Sequence, residues 1–402
     1  LGGKPEVEDV SDGQTVLSMT APDGGCFEPG KSYYFVFYPS DFEKGLTLTY
    51  YKKDSYASFV YNNAYPVKRN EFGSISAKDG SLTFVKTDGH YIDEYGINHG
   101  PGVEIGGVVW APVNCGYHKI GYPYGKLYQW GRKYGQGYDC PWDKTYDDAS
   151  VPVKIQGSVN LAAGQSEENA NKYYYQSVSP FDWCTTQDSH LWNVGTNNAP
   201  VKTEYDPCPA GWRVPTYNEL LGLSQNRSSW TTSDGQNGYW LSGKSSYTSE
   251  VSQIFFPAAG YRRDDREDGV DRSRGGYYYS SSAQNFLMFY SSYFTFSTIS
   301  VGASVRCVKD DSELITVENI TLDKTELSLE GGETYTLTAS IAPSTANHKS
   351  AHWYSDNSAI VSVDRNGQLT AKSSGTTTIT AMAGMQKATC RVTVVSTVPS
   401  EN

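Results

Sequence analysis

Positive charge is the first thing this chain is short of. Its 402 residues carry 33 Lys and Arg against 44 Asp and Glu, a net charge of −11. A protein that grips nucleic-acid backbones needs a basic footprint, so that class of partner is excluded. Long apolar runs are missing too: no stretch approaches the roughly 20 residues of a membrane-crossing helix. No leader peptide stands at Leu1, so the chain is expected to be a mature or trimmed fragment, with any lipid anchor or upstream domain outside it. Histidine is scarce, occurring only as His90, His99, His118, His190, His348 and His352. None lies in a nucleophile-elbow or papain-like context, and all are expected to be surface or loop residues. Zinc requires His, Cys and carboxylate ligands at short spacing, and Cys115 with His118 is the nearest approach to that. Cys26, Cys115, Cys140, Cys184, Cys208, Cys307 and Cys390 show no CxxC spacing. Their odd number leaves at least one unpaired; the others read either as buried thiols or as disulfide partners in an oxidising compartment.

What the chain has in quantity is tyrosine, 32 residues, with 39 glycines and 9 tryptophans; aromatics make up 14%. Such a composition suits strand-dominated extracellular surfaces that bind by contact rather than by charge. The length exceeds one ordinary core and implies two or three domains. One stretch organises the rest: DPCPAGWRVPTYNELL at residues 206–221. Its prolines and glycine predict a rigid turn-rich entry over 206–215. Thr216 followed by Glu219 is a capping box opening a short helix through Leu220, Leu221 and Leu223.

Along the chain, residues 1–14 read as a tail or linker. Runs at 15–19, 31–38 and 45–51 are short β-rich segments broken by Gly/Pro/Asp turns. Within 45–51, Leu46, Leu48 and Tyr50 alternate with Thr47, Thr49 and Tyr51, the period of a half-buried strand. Strands are predicted at 106–109, 252–256 and 284–290, whereas 144–204 should be mostly loop with short helical turns. From 312 the texture shifts to Ser/Thr-rich alternation at 335–341, 376–381 and 390–395. Asn366-Gly367 is a hairpin signal and Trp353 a central core aromatic, as in a seven-strand sandwich.

Several of these motifs resemble known families. The 206–219 stretch, with VWAPVNCG at 109–116, YQWGR at 128–132, FFPAAGY at 255–261, YSSS at 279–282 and SVRCVK at 304–309, resembles the family named for the Fibrobacter succinogenes major paralogous proteins. That resemblance implies a fold similar to C-type-lectin-like and formylglycine-generating-enzyme-like modules, on surface proteins of Bacteroidetes-type bacteria. CFEPGKSYY at 26–34 through YYKK at 50–53 is similar to the later strands of fimbrillin-type domains, subunits and accessory proteins of bacterial fimbriae. ITLD at 320–323, WYS at 353–355, VSVD at 361–364, GQLTA at 367–371 and GTTTIT at 375–380 resemble bacterial Ig-like group 2 domains. The fold class these imply is multidomain, mainly β with an α+β centre. An incomplete β-sandwich-like fimbrillin segment spans 1–90, a C-type-lectin-like α+β domain 91–311, and an Ig-like β-sandwich 312–402.

Cys208 and Cys307 lie in motifs flanking the same domain and form the best candidate disulfide. Their sequence context places neither on the catalytic positions of the formylglycine-generating enzymes, so that activity is not carried over. The Glu-Pro-Asn, Gln-Pro-Asp and Trp-Asn-Asp motifs of calcium-dependent lectins are absent. The acidic run 264–271 is like a calcium loop only superficially, since Arg266 takes its third position and no Glu its twelfth. Residues 261–279 mix five arginines with five acids and end in Gly275-Gly276-Tyr277-Tyr278-Tyr279. They read either as a solvated, internally neutralised loop or as a contact surface, because Tyr and Arg are enriched at interface hot spots. The expected ligand-binding residues are Arg262, Arg263, Tyr277, Tyr278, Tyr290 and Tyr293, with Gly275 and Gly276 turning the chain so that the tyrosines share one face.

The function these features point to is non-catalytic adhesion or recognition at a cell surface, outer membrane or fimbria. Partners would be a host or bacterial surface protein, a glycan, or fimbrial subunits. No catalytic residue, cofactor or metal is expected. The rival readings are a carbohydrate-binding module of a glycan-utilisation system and a formylglycine-generating-type enzyme.

Overall fold

The computed structural model describes residues 89–396, apart from 95–96, 119–121, 138–152, 177–181, 187, 226, 245–250, 263–270, 283–284, 299–301 and 311; before 89 it describes only short strands. The chain divides into two compact units, Leu1–Pro101 and Gly102–Asn402. The division falls about ten residues after the boundary expected at 90, and the two C-terminal segments share one unit.

In the first unit, Leu46–Lys52 pairs antiparallel with Ser55–Tyr61, which also pairs with Val85–Lys86. Ser40–Phe42 pairs with Tyr65–Val67, Val7–Glu8 with Val16–Leu17, and His90–Ile92 with Asn98–Pro101. The 45–51 alternation therefore marks a strand, while the run at 31–38 lies outside the described residues.

The second unit opens with a sheet that draws together distant parts of the sequence. Its order is Val103–Ile105, Val108–Trp110, Val308–Lys309, Trp212–Arg213, all antiparallel. The strand expected at 106–109 is divided, because Gly106 and Gly107 adopt left-handed φ values of 63° and 82° and make a turn. Two further antiparallel sheets follow. One comprises Thr231–Ser233, Gln236–Lys244 and Val251–Pro257; the other Gly275–Tyr279, Asn285–Tyr290 and Phe294–Thr298. Ile105, Trp110, Tyr239, Leu241, Phe256, Tyr278, Leu287, Phe289 and Val308 fill the core between them.

The helix Tyr217–Leu223 closes this core with Leu220 and Leu223. Both halves of its capping box form: Thr216 Oγ1 accepts from Glu219 N at 3.3 Å, and Glu219 Oε2 accepts from Thr216 N at 2.7 Å. The same carboxylate takes a two-pronged bond from Arg213, at 2.8 and 2.6 Å. Before the helix, the buried Asp206 accepts from Cys208 N and Val214 N, each at 2.8 Å, beside the Lys202 ammonium. Lys202 in turn donates to the carbonyls of Cys208, Pro209 and Trp212. A buried ion pair thus ties down the turn that the prolines stiffen.

Residues 153–204 hold more order than periodicity indicated. A parallel pair, Val153–Gln156 with Lys172–Tyr175, flanks one helical turn at Leu161–Gly164 and a 3-10 turn at Glu167–Asn169. Loop-rich backbone leaves many carbonyls without ladder partners, and buried arginines supply the donors. Arg132 donates to the carbonyls of Gly164, Lys172 and Asn169. Arg306 donates to those of Ala111, Pro112 and Phe255 and to Asn114 Oδ1. Desolvation brings Arg132 down to about 10, so it stays charged at neutral pH.

The C-terminal segment is a β-sandwich. One sheet runs Glu326–Glu330, Gln386–Val395, Gly375–Ala383, His352–Ser355, with the first pair parallel; another runs Thr334–Thr336, Gln368–Ala371, Val361–Val363. Asn319–Leu322 and Ala339–Ala342 add a further pair, so nine strands replace the seven expected. Trp353 is buried in the common core with Leu337, Leu369, Ile379 and Val392. Gly367, at φ 82°, makes the turn before Gln368–Ala371, and a Cβ there would stand 2.9 Å from the Trp353 ring.

This sandwich is bound to the signature-bearing turn. Glu204 accepts from Val317 N at 2.6 Å and from Met385 N at 3.1 Å. Tyr205 donates to Gly384 O at 2.8 Å, and Asn347 donates to Lys202 O at 3.0 Å.

Candidate functional site

The tyrosine-rich sheet places its side chains on alternating faces, as pleating demands. Tyr278 goes into the core: it is fully buried, its ring 4.7 Å from Phe256, its hydroxyl donating to Pro257 O at 2.7 Å. Tyr277 goes the other way and is also buried, 4.3 Å from the Tyr261 ring. Arg262 is fully buried, because its backbone pairs with Gly302 and its guanidinium lies over the Tyr173 ring and donates to Gly137 O. Arg262, Tyr277 and Tyr278 are therefore not contact residues; burial removes them from any partner's reach. Arg263 lies outside the described residues. The glycines do not turn the chain either. Gly275 and Gly276 are strand residues at which a Cβ would meet the Tyr290 and Phe289 rings, so they permit close ring packing.

Tyr290 and Tyr293 do remain at the surface. Tyr293 is 46% exposed and stacks on the half-buried Tyr290, with centroids 4.9 Å apart and planes at 27°. Beneath them lies a small polar centre absent from the expected set. Asp271 Oδ2 accepts from Tyr277 Oη at 3.3 Å and from the Tyr290 hydroxyl, and the two phenols also touch each other. Asp271 sits at φ 65° and Ser273 at φ 64°, the latter bonded to the Tyr124 hydroxyl. Desolvation, followed by the hydroxyl contact with Tyr290, pushes Tyr277 far up; desolvation and then Asp271 do the same for Tyr290. Both phenols stay protonated and act as donors rather than as bases. The half-buried Asp271 carboxylate, the Tyr290 hydroxyl and the exposed Tyr293 ring offer hydrogen bonding beside a flat apolar face, the pairing that suits a polar ligand with a ring or a sugar face. Only a position within an acid-rich loop marked Asp271 in the sequence.

Cys208 and Cys307 are joined, with S–S 2.07 Å and Cα atoms 5.9 Å apart across a separation of 99 residues. The buried Cys115 thiol lies beside the bridge, accepting from Tyr128 Oη at 3.2 Å. Cys184 is buried, and desolvation raises its thiol to about 12, so it is a poor nucleophile. Cys26 and Cys140 lie outside the described residues.

The histidines depart from expectation. His190 is exposed and His90, His99 and His118 are half-buried, but His348 and His352 are buried where the sandwich meets the preceding module. Together with Asp188 they hold their ligating atoms within 4.8 Å of one another. No local pattern announced this, because Asp188 is far from the pair in sequence.

Comparison with known proteins bears on the last fifth of the chain. Residues 316–394 match the bacterial Ig-like domain (group 2) family, which identifies the sandwich. An uncharacterised protein of Clostridium acetobutylicum is 39% identical over 88 residues, 22% of this chain and 9% of that protein. The chain thus spans less than a tenth of the length of that relative. Among solved structures, an EHEC O157:H7 intimin mutant is 25% identical over 16% of this chain and 34% of its own, with a TM-score of 0.15. Domains 1–6 of the surface-layer protein SbsC are 17% identical over 42% of this chain and 25% of theirs, with a TM-score of 0.20. Superpositions this partial carry no argument about this chain.

Proposed function

We propose that the protein is a non-catalytic recognition protein displayed outside a bacterial cell. The module of residues 102–310 carries the binding face, and the Ig-like domain acts as its mount. The observation that carries this reading is the Tyr290–Tyr293 stack over Asp271. An exposed tyrosine is held in place by a half-buried neighbour, so little rotamer entropy is lost when a partner covers it. The net charge of −11 suits a neutral or weakly basic partner, a glycan or a surface protein, rather than a polyanion. Resemblance to fimbrillin-type and major paralogous proteins agrees with a place on the outer surface or a fimbria of a Bacteroidetes-type cell. The bonded Cys208–Cys307 pair and the unreactive Cys184 thiol favour binding over the thiol chemistry of a formylglycine-generating enzyme.

The test is the full chain on glycan and host-protein arrays, with Tyr293→Ala alongside. Tyr293 is a surface residue, so its loss should leave thermal stability unchanged and weaken specific hits at least tenfold. An array with no specific hit, or hits indifferent to Tyr293→Ala and Tyr290→Ala, overturns this site.

A further inference from the structure

We propose that Asp188, His348 and His352 form a zinc-binding site that clips the Ig-like domain to the module before it. His348 is 0% exposed, and neither of its ring nitrogens has a hydrogen-bond partner; His352 Nε2 has none either. A buried polar group left unpaired is costly, so the fully buried His348 imidazole needs a reason. Their rings stack with centroids 5.5 Å apart and planes 5° from parallel.

The carboxylate opposite is aimed at them. Asp188 Oδ2 is 3.2 Å from His352 Nε2 and 4.0 Å from His348 Nε2. Zinc held tetrahedrally at about 2.0–2.1 Å from each ligand separates neighbouring ligand atoms by roughly 3.4 Å. The 3.2 Å separation matches such an edge and the 4.0 Å one exceeds it by roughly half an ångström, a gap that a small side-chain movement closes. The other carboxylate oxygen is already engaged: Asp188 Oδ1 accepts from His190 N at 2.7 Å, which fixes the side chain and leaves Oδ2 for the metal. The Tyr205 ring closes one side, 5.3 Å from His348 and edge-on, with its hydroxyl committed to Gly384 O. Two imidazoles and one carboxylate suit zinc, and the Asp188 side chain is 15% exposed, which leaves a fourth position for water. His352 begins a sandwich strand and Asp188 belongs to the 182–193 loop, so one ion joins two parts that otherwise meet through Glu204, Tyr205 and Asn347.

The experiment uses the full chain, stripped with a chelator and titrated with zinc chloride by calorimetry. One zinc per chain and a melting temperature that rises with added zinc are expected, since a site assembled only in the folded joint stabilises it. Asp188→Asn should fold, as judged by circular dichroism, and bind zinc roughly 10–100-fold more weakly; His352→Gln should do likewise. His118→Ala, which removes an imidazole outside the ligand set, should bind as tightly as the unaltered chain. Cobalt in place of zinc should give the intense visible bands of a tetrahedral site. The proposal is overturned if the unaltered chain takes up no zinc. It is equally overturned if Asp188→Asn and His352→Gln bind as well as the unaltered chain, or if only His118→Ala loses binding.

Discussion

Glu204→Ala should loosen the joint between the central module and the Ig-like domain, and the size of the loss follows from what each amide does afterwards. The Glu204 carboxylate, 7% exposed, accepts from two sandwich amides, those of Val317 and Met385. Val317 is 3% exposed, so its N–H has no water to turn to; stranding it costs about 1–3 kcal/mol. Met385 is 38% exposed, and its amide rehydrates for about 0.5–1 kcal/mol. Together these give roughly 1.5–4 kcal/mol. Unfolding entropy of about 2.1 cal/mol/K per residue gives roughly 0.6 kcal/mol per kelvin for a unit of this size, and hence a fall of about 2.5–6.5 °C. Gly384→Ala attacks the same contact from the other side. A Cβ there would lie 2.2 Å from a Glu204 oxygen, and φ is 54°, where a side chain is strained. Differential scanning calorimetry of the full chain is the assay, with Glu204→Gln, which keeps one acceptor, expected to fall between. Melting curves of Glu204→Ala and Gly384→Ala that overlay the unaltered chain would refute this account of the joint.

Other expectations concern single contacts. Removing the Cys208–Cys307 bridge by paired alanines should cost about 4–5 kcal/mol in the chain-entropy model, given the 99-residue separation; melts with and without reductant measure it. Trp353→Ala should cost about 3–5 kcal/mol in chemical denaturation, since the ring fills the sandwich core. Burial alone raises Glu219, but the Arg213 bonds and charge outweigh it and hold the carboxyl below its usual value. A depressed carboxyl stabilises the fold above its unfolded value, about 4.3, and that contribution disappears as pH falls through the lower folded value. Glu219→Gln should therefore narrow the stability difference between pH 7 and pH 3 in urea titrations, and an unchanged difference would remove Glu219 from the acid response.

The sequence by itself determined the parts whose physics is local. Thr216 and Glu219 are three residues apart, so a helix start is readable from their spacing, and the structure has both of its bonds. The Asn366-Gly367 turn and the alternation at 390–395 specify a hairpin and a buried face within a few residues, and residues 316–394 fold as an Ig-like domain. Period-two alternation says which side chains share a face but not whether that face meets solvent. Arg262, Tyr277 and Tyr278 read as a contact surface on composition, yet every residue of Gly275–Tyr279 is buried because other segments cover both faces of the strand. The joint and the His348–His352–Asp188 cluster were settled only in three dimensions. Glu204 reaches Val317 across 113 residues and Tyr205 reaches Gly384 across 179, and no spacing rule spans such distances. Tertiary packing brought those groups together, and it also decided which of them lost their water.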